Sequence, residues 1–241
     1  ASSRGSTAKS RSSRNFPTLE IILMISDRFL DAIEHHTGSA SESGSDHRVL
    51  DETSLDILFR KARSHNGWLK KDVDDSLLSR IYDIARMGPT SMNCSPMRVL
   101  FVRSEEQKKL LLPAIIESNI EKIRTAPAVA IIGYDCDFVD HLPKLWPQKD
   151  MRFVFENNPT LARETAVRNG TLQGAYLMLA ARSLGLDCGP ISGFDRSYVD
   201  EHFFLGTKIT TNFLCGLGYG DPEKLSLRPP RFDFNEVCKF L

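Results

Sequence analysis

Few residues in this sequence have the types and spacing that side-chain chemistry requires. No G-x-S-x-G, H-E-x-x-H or G-x-x-x-x-G-K-[ST] occurs, which excludes a nucleophile elbow, a zinc-protease helix and a P-loop. Of the six histidines, His35, His36 and His47 fall near the N-terminus, and His65, His141 and His202 are scattered, so no metal site is expected. Cys94, Cys136, Cys188, Cys215 and Cys238 are odd in number, far apart and without a C-x-x-C pair. Reduced thiols are expected from that pattern, and a disulfide framework or structural zinc is not. Gly216-Leu217-Gly218-Tyr219-Gly220 lacks G-x-G-x-x-G spacing and has no βαβ unit after it, so it reads as a plain turn. What remains is backbone. Gly189-Pro190-Ile191-Ser192-Gly193 sets small residues round a fixed proline, and such a turn lets main-chain N–H groups approach a ligand.

Positioning that turn falls to the stretch before it. Leu161, Ala162, Thr165, Ala166, Leu172, Ala175, Tyr176, Leu179 and Ala180 recur at helical spacing, and Ala175 to Ala181 is apolar nearly all round. A long helix buried on most faces is expected, ended by Gly185 and Gly189 at positive φ. Earlier, Leu55, Leu58, Phe59 and Ala62 mark an amphipathic helix with Asp51 or Thr53 as N-cap. A second helix from Asp75 carries Leu78, Ile81, Tyr82 and Ala85 and stops at Gly88-Pro89. A polar loop over 90–96 leads into a strand at Arg98–Val102. Helices follow at Glu105–Leu112, broken by Pro113, and at Ser118–Arg124. Ala128–Tyr134 reads as a central strand. Residues 135–160 form an irregular excursion of the kind used as a lid. Asp195 caps a helix with Val199 and Phe203, Thr211–Leu217 is a strand, and a short helix runs through Val237. Strands separated by helices imply an α+β or α/β layered fold.

Formal charge is zero, with 31 basic and 31 acidic residues, which leaves no electrostatic reason for a nucleic-acid or anionic-membrane partner. No run reaches the roughly 18 apolar residues of a membrane helix. A cytoplasmic protein is expected. Residues 1–48 differ from the rest, with an acid-free basic start, a possible helix over 19–33 and a serine-glycine linker at 37–45. The basic start is open to three readings, as an organelle-targeting remnant, a disordered tail or an artefact. The folded body is placed at 49–241.

The segments ARSHNGW, MGPTSMNCSP, SNIEK, RNGTLQGAY, LGLDCGPISGFD, TNFLCGLGYGDPEKL and PPRFDFNEVC stand in one order over residues 50–241. In that order they resemble the nitroreductase-like flavoproteins, most of all the malonic semialdehyde reductase (3-hydroxypropanoate dehydrogenase) branch of pyrimidine degradation. The resemblance implies an α+β nitroreductase-like fold, a central antiparallel-rich sheet flanked by helices, in an intertwined homodimer with FMN at the interface. It implies Arg63 and Ser64 on the FMN phosphate, with Asn66 standing where many relatives carry a second arginine and Arg228 and Arg231 able to replace that charge. Pro89, Thr90, Ser91 and Asn93 match the loop that reaches the flavin from the partner subunit. Asn119 and Lys122, three apart on a helix, share a face and would meet the N1/O2 edge of the ring. Pro190, Ser192 and Gly193 match the turn against N5, with a backbone N–H of Ser192 or Gly193 as the catalytic contact. The implied activity is hydride transfer from NAD(P)H through flavin N5 to malonic semialdehyde, giving 3-hydroxypropanoate. A broad nitroaromatic or quinone reductase is the alternative, and a non-catalytic flavin-binding relative a third reading. Arg98 and Arg152 are candidates for holding an anionic substrate.

Overall fold

The computed structural model describes residues 48–241, so the expected helix over 19–33, the linker and the targeting segment lie outside the described residues. Its sheet has four strands, β1 (Met97–Val102), β2 (Ala128–Asp135), β3 (Asp187–Ile191) and β4 (Ile209–Gly218). Their order is β1-β2-β4-β3, with every neighbouring pair antiparallel. Central β2 is buried at all its residues, as an apolar run covered on both faces should be. Its alternation divides two cores. Ala128, Ala130 and Ile132 join Leu78, Ile81 and Leu177 on one face, while Val129 and Ile131 join Ile123, Val199 and Leu214 on the other.

Helices flank the sheet, and most start where the sequence supplies a side-chain acceptor for their free N–H groups. In α1 (Glu52–Leu55) the Asp51 carboxylate accepts from the Ser54 N–H, and in α2 (Asp75–Ala85) Asp74 accepts from Leu77. Ser104 caps α3 (Glu105–Leu111), which gives way to a 3-10 turn at Leu112–Ala114 because Pro113 has no N–H to continue it. After α4 (Glu117–Thr125) and the excursion over 136–158, Asn158 caps the 25-residue α5 (Pro159–Ser183), with Pro159 at its first position. Asp195 caps α6 (Arg196–Phe203). The excursion closes over a third cluster, in which Phe138, Leu142 and Phe155 pack with Cys94 and Ala166. Among the described residues no helix is long and apolar enough to cross a membrane.

Four expectations need correcting. Residues 187–191 are not a turn but edge strand β3, so Gly189 is extended and only Gly185, at φ 83°, takes the left-handed conformation that ends α5. Gly216 and Gly218 are likewise inside β4, not in a turn. They are small because Trp68 and Pro127 lie against them: a Cβ on Gly216 would stand 2.6 Å from the Trp68 ring. On α5 the buried stripe is Thr165, Ala166, Asn169, Gly170, Gln173, Gly174 and Leu177, while Leu172, Ala175 and Tyr176 face outward. The helix at 55–62 is a single α-turn continued by a π-helical segment, Asp56–Arg60. It buries nothing in this chain, and Phe59 is 54% exposed.

Candidate functional site

Residues 62–68 run beside the outer edge of β3 and tie two parts of the site together. Ser64 forms a parallel bridge with Cys188, and the His65 N–H donates to the Cys188 carbonyl at 3.0 Å. Three residues on, the Trp68 indole N–H donates to the Lys122 carbonyl at 2.9 Å. At the first end lies a cavity of about 490 Å³ lined by Arg63, Ser64, Arg182, Arg228 and Arg231, with Ser226 and Leu227 between them. The guanidiniums are held by main-chain carbonyls: Arg63 donates to Ser226 at 2.5 Å, Arg228 to Ala62 at 2.9 Å and Arg182 to Leu58 at 3.3 Å. Asn66 is exposed and does not line this cavity.

At the second end the floor is Trp68, 5% exposed, with the main chain of β3 and β4 pressed onto it. A Cβ on Gly189 would come within 2.6 Å of the His65 carbonyl and close to the Trp68 ring and the Lys122 stem. Lys122 is only 9% exposed as a residue, and its amine has neither an ion pair nor a hydrogen bond among the described residues. Burial lowers its pKa, and the neighbouring Cys215 thiol offsets only part of that. Asn119 lies one helical turn before it on α4, its carboxamide against Gly193. Beyond the end of β3, the Ser192 and Gly193 N–H groups have no acceptor among the described residues. Lys122, Asn119, Ser192 and Gly193 are thus brought to one place, with Pro190 paired to Cys215 inside the ladder.

Below β3, His65 meets Asp187 at 3.3 Å, and Asp187 also accepts from the Gly220 N–H at 2.9 Å. Burial pushes the Asp187 carboxyl up, but the His65 contact, the Gly220 N–H and the Arg182 charge outweigh it, and the pKa ends lowered. This clamp joins the 62–68 segment, the base of β3 and the turn leading to the C-terminal arginines.

The loop Pro89–Asn93 lies elsewhere. It leads into Met97, which pairs with Tyr134 at the far end of β2, whereas Gly216 beside Trp68 pairs with Val129. Five residues of strand put these points about 17 Å apart. The loop is held in a strained form, with Met92, Asn93 and Ser95 at φ 51°, 50° and 38°. Asn169 accepts from the Ser91 N–H, Thr90 from the Ser95 N–H, and Asn93 donates to the Leu145 carbonyl. Neither substrate-cation candidate is free: Arg98 is bound to Asp135 at 2.6 Å and Arg152 to Asp150 at 2.6 Å.

The model of the nitroreductase family matches residues 59–220, a span that contains Arg63, Lys122 and all four strands. The chain belongs to the nitroreductase family. As a nitroreductase-family member it is 53% identical, over 77% of its length and 96% of the relative's, to a Cupriavidus pinatubonensis protein described as a candidate NADH dehydrogenase/NAD(P)H nitroreductase. HadB of Ralstonia pickettii, with the same description, is also 53% identical, over 77% of this chain and 96% of that one. Two crystal structures share the fold. A Bacillus subtilis protein described as a candidate nitroreductase gives a TM-score of 0.73 at 18% identity, covering 79% of this chain and 100% of its own. One from Exiguobacterium sibiricum, solved in complex with FMN, gives 0.72 at 20% identity, covering 80% and 98%.

Four residues of this candidate site carry no role in the sequence analysis. Trp68 stood in a quoted motif without a role, and Arg182 was given none. The His65–Asp187 contact joins residues far apart in the chain, and no spacing rule pairs them.

Proposed function

We propose that the chain is an FMN-dependent NAD(P)H oxidoreductase that works as a homodimer and reduces malonic semialdehyde to 3-hydroxypropanoate. The observation that carries the flavin reading is Lys122, a buried residue whose amine meets no counter-charge among the described residues, beside two unoccupied backbone donors and a floor with no room for side chains. A desolvated unpaired charge is costly, so such a site fits a ligand with an anionic edge and a flat face. The arginine-lined cavity at the other end of the 62–68 segment fits that ligand's phosphate. Family membership, the relatives' NAD(P)H nitroreductase descriptions and the FMN-bound fold neighbour support the same choice.

Bound FMN would supply a two-electron hydride relay between NAD(P)H and the acceptor. The chain's own part is positioning and electrostatics. Lys122 and Asn119 hold charge and a hydrogen bond at one edge, Ser192 and Gly193 present main-chain N–H groups at another, and Arg63 with Ser64 anchors the phosphate. The strained 89–95 loop is too far along the sheet to serve the same ring within one chain. A second copy brings it there. Exposed apolar side chains at Ile57, Phe59, Leu172, Tyr176, Phe232 and Phe234 are suited to cover such an interface.

A nitroaromatic or quinone acceptor is the second reading, and one observation favours it: Arg98 and Arg152 are both neutralised by aspartates, which leaves them poor partners for a substrate carboxylate. Steady-state NADH and NADPH oxidation with malonic semialdehyde against nitrofurazone decides between them. A higher kcat/KM for the semialdehyde supports the first reading, and a higher value for nitrofurazone replaces it with the second. A protein that lacks an FMN-type absorbance spectrum after reconstitution overturns both.

A further inference from the structure

Several arginines among the described residues are matched to acids. Arg60, Arg86, Arg98, Arg103, Arg124 and Arg152 each meet an aspartate or glutamate. Four others are gathered round one cavity of about 490 Å³. Arg63, Arg182, Arg228 and Arg231 make no ion pair among the described residues, no carboxylate lines the space, and their hydrogen bonds go to main-chain carbonyls. Four like charges round one cavity repel one another unless an anion lies between them.

We propose that Arg182 is a ligand of the flavin phosphate, and that it makes the site select FMN over unphosphorylated riboflavin. The inference rests on the FMN reading above and adds a residue from a separate element. Arg182 belongs to the last turn of α5 and lines the same cavity as Arg63. Its bond to the Leu58 carbonyl fixes the guanidinium against the start of the 58–64 segment and uses one of its five N–H donors. The others are left for an oxyanion, in the planar fork that suits a phosphate. The 63–66 segment offers a single guanidinium, since Asn66 lies outside the cavity, so Arg182 supplies the second cation from the helix side.

The test is equilibrium binding of FMN and of riboflavin to the full chain, for wild type, Arg182→Gln and Arg63→Ala. Arg182→Gln should weaken FMN about 10- to 100-fold and leave riboflavin within about twofold, the pattern of a lost charged contact to phosphate alone. Equal weakening of both flavins would mean a structural role and overturn the proposal. So would unchanged FMN affinity in Arg182→Gln while Arg63→Ala loses it. Wild-type protein that binds neither flavin overturns the FMN reading and this inference together. If the glutamine variant fails to fold by circular dichroism, Arg182→Lys carries the test, because an ammonium cannot replace a bidentate fork. A several-fold lower FMN-to-riboflavin preference supports the role, and an unchanged preference refutes it.

Discussion

Lys122→Met should move stability and cofactor binding in opposite directions. Methionine has a similar length and keeps the stem packed against Gly189 and Trp68, so the exchange removes a charge and little volume. In the flavin-free protein Lys122 is 9% exposed as a residue, its amine has no partner among the described residues, and burial holds its pKa below the ordinary 10.5. The unfolded chain therefore binds this proton more tightly than the folded one. Between the lowered folded pKa and 10.5 the unfolded state carries more protons, and wild-type stability rises with pH. Below that window the penalty is present in full. Removing it should stabilise the flavin-free variant at pH 7 by up to about 1 kcal/mol, since solvent still screens part of the charge, with the gain shrinking as pH climbs toward 10.5. With FMN the sign reverses. Loss of a contact from a charged donor costs about 1.5–3 kcal/mol, or roughly 10- to 150-fold in affinity. Urea unfolding of stripped wild type and variant at pH 7 and pH 10, followed by circular dichroism, reads the first effect. Flavin fluorescence titration reads the second. A flavin-free variant less stable than wild type, or one that binds FMN as tightly, would refute the reasoning.

Two further outcomes follow from the same geometry. Gly189→Ala drives a Cβ to 2.6 Å from the His65 carbonyl, and main chain cannot step aside as a flexible side chain would. The expected loss is about 1–3 kcal/mol with a lower melting temperature, and an unchanged melting curve would contradict the close approach. Asn169→Ala removes the acceptor for the Ser91 N–H, which lets the loop leave its left-handed conformers at Met92, Asn93 and Ser95. Calorimetric FMN titration should show about tenfold weaker binding; wild-type affinity would mean that the loop needs no such hold.

How far the sequence carries this fold depends on which force sets each element. Caps at Asp51 and Asp195 and the break at Pro113 are local chemistry, and they stand where the side chains put them. The apolar run at 128–134 could only be a covered strand, and it is. The glycines misled because the reason for them is not local. Gly189 and Gly216 read as turn residues, yet both are extended, kept small by Trp68 and by the His65 backbone reaching them from another part of the chain. Periodicity likewise found α5 but mistook its faces. Asn169 and Gln173 look like surface residues, and they are buried because they receive the Ser91 and Met97 N–H groups. Of the candidate site, residue types could suggest each cation and each bare N–H. That Arg182 joins Arg63 while the 89–95 loop lies at the opposite end of the sheet is a matter of topology, which no spacing within one segment encodes.

Strand β3 is an outermost strand, and such strands invite further chains to add to them. Here the invitation is withdrawn residue by residue. The Cys188 carbonyl, which faces away from β4, is already occupied by the His65 N–H. The next outward position is Pro190, whose ring nitrogen has no hydrogen to offer. The segment can therefore end in unclaimed main-chain donors without becoming a template for aggregation.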